Sequence, residues 1–200
     1  MDPTAGAVAG LASQAALGVA LAACAGLRAF VPLFVAGLAA RFDVLPIAEH
    51  FQWLASDAAL VVLGVAVVVE VAADKIPIVD HALDLVQTVV KPLAGTLLAA
   101  GMLGDLGPVE STVIGLVAGG GVAGTVHLAK AKLRLASTVA TIGLANPVLS
   151  IVEDAMAVVG AVVAIVLPLL VLAAVLCLAA GLAFVLWQRR GHSSVSDHVR

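Results

Sequence analysis

Charged residues punctuate this chain and separate long runs of Ala, Val, Leu and Gly. A helix that crosses a membrane needs about 20 mostly apolar residues. Runs of that kind fall at 14–39, 57–73, 85–104, 112–130, 135–152 and 155–187. The first is interrupted by Arg28, the second carries Glu70 near its end, and the third holds Lys91 and Pro92. The fourth ends with His127 and Lys130, and the fifth contains Gly143, Asn146 and Pro147. The last has no charge at all. As one helix it would measure about 50 Å against a hydrocarbon core of about 30 Å, so it must tilt, protrude or break, and Pro168 is the natural kink.

Composition turns this pattern into a class. Hydrophobic residues make up 62% of the 200 and charged residues 12%, against about 25% charged in soluble domains. Mean hydropathy is +1.18. Too few polar residues exist to cover a soluble globule, so the sequence predicts a polytopic membrane protein. Net charge is −3, too small to imply a nucleic-acid partner. Cys24 and Cys177 lie in apolar runs and read as small core residues, not as a disulfide or a metal site. "LAAC" at 21–24 resembles a lipoprotein cleavage box, but no Lys or Arg precedes it and the apolar run continues beyond it. The first membrane helix is the expected targeting signal.

Basic residues favour the cytoplasmic side. "KAKLR" at 130–134 and "RR" at 189–190 are the strongest basic clusters. Six crossings place both inside with the two termini, and leave the net-acidic segments 40–56 and 105–111 outside. "AACAGLRAF" (22–30) and "GGGVAGTVHLA" (119–129) each set small residues before a polar one, and "EVAADKIPIVDHALD" and "NPVLSIVED" each give an acidic, proline-marked segment. The expectation is an all-α polytopic transmembrane helix bundle with a 3+3 inverted repeat and broken or re-entrant helices. One membrane domain covers 1–188, with halves 14–104 and 112–187, and 189–200 is a short polar cytoplasmic tail.

Arg28 is the sharpest candidate. An arginine deep in a span costs at least about 2.5–3.5 kcal/mol unless partnered, and it does not escape by deprotonation. Pro32, four residues on, removes the helical bond to the carbonyl of residue 28 and frees backbone groups that must face protein or water. A substrate or ion site beside a broken helix is one reading. A static ion pair that fixes helix packing is the other.

Acidic side chains supply the partners. Glu70 and Asp74 are spaced i,i+4, as are Asp80 and Asp84, and Pro77 separates the pairs. Carboxylates so close need compensation from Lys75, Lys91, Arg28, a cation or a proton. His81 lies between the second pair and titrates near neutrality when unperturbed. These groups suit ion coupling in a transporter. They also suit Mg²⁺, a cation of hard oxygen ligands, for chemistry on a lipid headgroup or pyrophosphate; the metal set would be Glu70, Asp74, Asp80 and Asp84. A plain solvated turn is the third reading. In the second half the counterparts are Asn146, Glu153 and Asp154, on a re-entrant tip or an extracellular turn. His127 and Lys130 share a helix side and could face a pore, but Lys130 fits a cytoplasmic collar with Lys132 and Arg134. Gly26, Gly120, Gly121 and Gly124 are candidates for close helix packing. "GGG" at 119–121 lacks the Lys-Ser/Thr of a phosphate loop, and no nucleophile elbow, zinc spacing or dinucleotide fingerprint is present.

"AGLRAFVPLF", the later "E…DK.P..D" and "NP..S..ED" together resemble a family of small bacterial membrane proteins classed as domain of unknown function 4126. The resemblance covers most of 15–165 and highlights Gly26, Arg28, Pro32, Glu70, Asp74, Lys75, Pro77, Asp80, Asn146, Pro147, Glu153 and Asp154. It implies an integral protein of the bacterial cytoplasmic membrane and no established activity. The leading functional expectation is a small transporter or channel for an ion or small charged solute, without a cofactor, with a midplane site at Arg28 and a possible homodimer. The alternatives are a membrane-embedded Mg-dependent enzyme and a structural or partner-binding subunit.

Overall fold

The computed structural model describes residues 3–75, 77–141, 144–177 and 180–181, and the side chains of 6–75, 83, 85–141, 144–177 and 180–181. Its elements are all helical: α1 (Pro3–Leu27), α2 (Phe30–Arg41), a 3-10 segment (Glu49–Ala55), α3 (Asp57–Ala73), α4 (Pro77–Met102), α5 (Pro108–Ile114), a π-helical segment (Gly115–Gly120), α6 (Gly121–Thr141), α7 (Asn146–Val166) and α8 (Pro168–Cys177). Among the described residues, four stretches are long and apolar enough to cross a membrane: Gly6–Leu27, Leu85–Met102, Pro108–Thr141 and Asn146–Val166. A fifth is obtained if Glu49–Ala55 and Asp57–Ala73, bent by 61°, count as one span. Large apolar side chains such as Val61, Val65 and Val68 lie exposed along α3, as expected of a surface solvated by lipid rather than water.

Two breaks follow from proline. α7 ends at Val166 and Pro168 opens α8, so the long terminal run is broken where its proline expects it. The first run is broken at Arg28–Ala29, and Pro32 sits buried in the first turn of α2. There its missing N–H is one that no intrahelical acceptor would have served.

The second break reverses the chain. Gly37 lies against Leu54 and Leu60, Phe34 against Gly64, and Arg41 pairs with Asp57. α2 therefore runs antiparallel to α3 with its start beside Glu70. α1 is antiparallel to α4, with Gly18 against Ala99 and Met102. Ala48 N–H donates to Gly101 O at 2.8 Å and Gln14 Nε2 to Asp105 Oδ2 at 2.9 Å. Residues 14, 41–57 and 101–105 thus form one layer, here called the far layer. Arg28 and Glu70 lie in another, about 20 Å away by the helical rise of about 1.5 Å per residue along α3.

This geometry corrects four expectations. Segment 14–39 is not one crossing but a hairpin with Arg28 at its apex. The beginning of α1 consequently shares an end with 40–56 and 105–111 instead of opposing them. Segment 135–152 is not a span: residues 135–141 finish α6 and 146–152 begin α7, because the helix continues unbroken through "KAKLR". The leading segments 22–30 and 119–129 also run in the same direction, since Gly26 meets Ala123 and Val126 while Gly18 and Gly115 both face the end of α4. Opposed directions relate α3 and α7 instead.

Glycine sets the centre. A Cβ on Gly95 would stand 2.6 Å from Gly119 O, and one on Gly26 would stand 2.5 Å from the Val126 Cβ. α1, α4 and the π-helical–α6 rod therefore touch backbone to backbone. Of the anticipated packing glycines, Gly26 and Gly120 sit in such contacts, Gly124 has only ordinary contact with Pro92, and Gly121 faces open space.

Candidate functional site

The break at residues 28–29 leaves backbone groups that a continuous helix would have paired. Glu70 takes the donors. Its Oε1 accepts from Ala29 N–H at 2.9 Å and its Oε2 from Phe30 N–H at 3.1 Å. Gln87 Nε2 adds a third bond to Oε1 at 3.1 Å. A carboxylate from α3 thus caps α2, where the helix dipole favours negative charge. On the other side of the break, the Leu27 carbonyl accepts from Lys130 Nζ at 3.3 Å.

Arg28 is fully buried. Its Nη2 donates to Asp74 Oδ2 at 2.5 Å and to Ser150 Oγ at 3.1 Å. Its Nε stands 2.6 Å from Asp154 Oδ1, an ion pair whose angle is too skewed for a hydrogen bond. Ser150 Oγ donates in turn to Asp74 Oδ2. Arg134 on α6 reaches the same carboxylate, with Nη2 at 2.9 Å from Asp74 Oδ1, and also lies 2.9 Å from Glu153 Oε2. Lys130 pairs with Glu153 Oε2 at 2.9 Å, and Lys75 with Asp154 Oδ2 at 3.0 Å.

The pairing is crosswise. Arg28 of the first half meets Asp74 of its own half and Asp154 of the other. Arg134 of the second half meets Glu153 of its own half and Asp74 of the other. Four helices (α1, α3, α6 and α7) are tied at one depth, and Asp74 is shared by both arginines. Most of the network is closed to solvent. Lys75 and Asp154, with side chains 41% and 22% exposed, form its open edge.

A second polar group adjoins it. Lys91 is fully buried, with Nζ 3.2 Å from His127 Nδ1. His127 Nε2 stands 3.4 Å from Thr88 Oγ1.

Of the residues singled out from sequence, Arg28, Glu70, Asp74, Lys75, Glu153 and Asp154 converge here, and Pro32 lies one turn away. Asn146 does not join them: its Nδ2 donates to the exposed Thr138 Oγ1 at 2.9 Å, nearer the turn between α6 and α7. The side chains of Asp80, His81 and Asp84 lie outside the described residues. Sequence reasoning missed Ser150, and it assigned Lys130 and Arg134 to a solvated collar. Their i,i+4 spacing on the side of His127, facing the 150–153–154 stripe of α7, was the available signal. Among the described residues no group of three or more His, Cys, Asp or Glu side chains is placed to hold a metal ion. Glu70 and Asp74 already accept from N–H donors.

Fold and site together define a membrane-embedded helical bundle organised around a buried, crosswise charge network. The chain belongs to the family described as Domain of unknown function (DUF4126), whose profile matches residues 15–189. No curated protein and no solved structure matches it.

Proposed function

We propose that this protein is a small transporter or channel for an ion or small charged solute in the bacterial cytoplasmic membrane. The observation that carries the reading is Arg28, fully buried at the apex of a helix hairpin and held by carboxylates of both halves. Intramembrane charge is costly and marks ion and solute pathways. Irregular backbone at membrane depth belongs where it lines a site or is enclosed by protein. Asp74, shared by Arg28 and Arg134, offers a pair exchange that never leaves a carboxylate bare, and the exposed edge at Lys75 and Asp154 gives solute an entrance. Basic residues at this end (Lys75, Lys130, Lys132, Arg134) favour the cytoplasmic face. The far layer, with segments 40–56 and 105–111 and the start of α1, then faces outward. A homodimer would enclose such a pathway more readily than one small chain.

Of the four residues in the Mg²⁺ enzyme reading, Glu70 and Asp74 accept from N–H donors, and the side chains of Asp80 and Asp84 lie outside the described residues. The test is flux in liposomes containing purified protein. Wild type is expected to pass a charged solute, and Arg28→Ala, checked for helix content and monodispersity, is expected to lose that flux. Equal flux in Arg28→Ala would overturn the reading. Full cellular function in Arg28→Leu would instead favour a structural subunit.

A further inference from the structure

Lys91 on α4 is fully buried. Among the described residues its Nζ meets the His127 ring at 3.2 Å and forms no ion pair with a carboxylate. Three charged side chains from other elements face it: Glu70 from α3, Arg28 from the hairpin break and Lys130 from α6. On its own helix, Gln87 one turn back is bound to Glu70 Oε1, and the side chains of His81 and Asp84 lie outside the described residues.

Lys130 is the neighbour that decides what Lys91 does. Its Nζ pairs with Glu153 Oε2 at 2.9 Å and donates to Leu27 O at 3.3 Å, the contacts of an ammonium. It also approaches Lys91 closely enough for a hydrogen bond between the two nitrogens. An ammonium donates and has no lone pair to accept with, so two of them cannot share that bond. Lys130, beside its carboxylate, keeps the charge. Lys91 is then the neutral amine whose lone pair accepts, which also spares the interior an unpaired charge.

A lone pair facing a donor can take a proton in its place. The step balances simply: one proton from water joins the Lys91 nitrogen, the charge of the layer rises by one, and no other bond changes. Once protonated, Lys91 repels Lys130 and Arg28 and is drawn toward Glu70. Lys130 is pushed toward Glu153 and loosens its hold on the Leu27 carbonyl. That carbonyl is the acceptor on the α1 side of the break, so the event reaches the apex of the hairpin. On the other side, His127 links Lys91 Nζ to Thr88 Oγ1, on an exposed residue of α4.

We propose that Lys91 is a proton-binding site whose occupancy is passed by Lys130 to the hairpin apex. The proton then names the ion of the transport reading. That role rests on the reading, and the binding of the proton does not.

The test uses the full chain in detergent, with lysine labelled at ¹³Cε and ¹⁵Nζ and leucine at the carbonyl carbon. The chain has four lysines, at 75, 91, 130 and 132, and Lys91→Arg assigns the signal of interest. Should that variant fail to fold, Lys75→Arg, Lys130→Arg and Lys132→Arg assign it by elimination. Lys91 is expected to give a neutral-amine signal in alkaline buffer that converts reversibly to the ammonium signal on acidification. The Leu27 carbonyl signal is expected to move with the same midpoint and to lose that step in Lys91→Met. A Lys91 signal that keeps one form from alkaline to acid buffer would overturn the proposal, as would a Leu27 carbonyl indifferent to the conversion. Flux in liposomes under a pH gradient separates this site from the transport reading. Proton flux lost in Lys91→Met supports both. Arg28-dependent solute flux with a Lys91 that does not titrate overturns the proton site and leaves the transport reading standing. Titration of Lys91 without flux of any kind upholds the site and removes the transport reading. Titration with a flux that Lys91→Met leaves intact overturns the proton's part in transport.

Discussion

Two of the arginine–aspartate pairs, Arg41–Asp57 and Arg28–Asp74, lie about 20 Å apart by helical rise. Arg41 meets Asp57 at 2.9 Å with side chains 52% and 83% exposed. Arg28 meets Asp74 at 2.5 Å with side chains 0% and 3% exposed. The chemistry is the same and the surroundings are not. An exposed pair is worth about 0–1 kcal/mol, since water and salt screen it and ordering two long side chains costs entropy. Removing one partner of a buried pair costs about 3–5 kcal/mol, because an uncompensated charge is left behind. The far pair merely accompanies the hairpin's return, whereas the buried pair holds its apex. A charge in the first position can drift freely in evolution or engineering. A charge in the second cannot change alone.

That contrast can be broken most sharply at Asp74. Asp74→Ala strips Arg28 and Arg134 of a shared counter-charge at once. We expect a loss of about 3–5 kcal/mol in detergent unfolding, or no folded protein. Adding Arg28→Met should recover part of the loss, since two apolar residues leave less charge unpaired. Gly119→Ala comes next. Its Cβ would meet Gly95 O and the Ala99 Cβ, and both helices would have to part. About 1–3 kcal/mol is expected from overpacking, read as a lower melting temperature. Glu70→Gln keeps one acceptor for Ala29 N–H or Phe30 N–H but turns an amide group toward the other. A cost of about 1–2 kcal/mol is expected, with faster hydrogen exchange at Ala29 and Phe30 as the local readout. Arg41→Ala should be smallest, under about 0.5 kcal/mol, and a large effect there would erase the comparison.

Much of the charged layer was legible in the sequence. A lone guanidinium in an apolar run must find oxygen, and Pro32 marks where a helix can open. Glu70, Asp74, Glu153 and Asp154 were the acids within reach, and all four arrive. The direction of the chain was not legible. Hydropathy reports how long a segment is, not whether the chain goes on or turns back, so 14–39 reads as a crossing although α2 retraces the path of α1. The turn depends on Glu70, forty residues away, capping the new helix. Lys130 and Arg134 were hidden for another reason. At the end of an apolar run a basic cluster looks like an anchor in water, and only the α7 stripe of Ser150, Glu153 and Asp154 shows that it is buried. Ser150, a small hydroxyl in an apolar helix, entered only as the S of "NP..S..ED", and nothing in the sequence said that it would bridge Arg28 and Asp74.

The most direct measurement is a pair of double-mutant cycles for unfolding free energy in the same detergent. One uses Arg28→Ala and Asp74→Ala, the other Arg41→Ala and Asp57→Ala. The account expects a coupling of about 2 kcal/mol or more for the first and below about 0.5 kcal/mol for the second. A buried-pair coupling no larger than the surface one would contradict it, because Arg28 would then not be held by the carboxylate on which the hairpin apex depends.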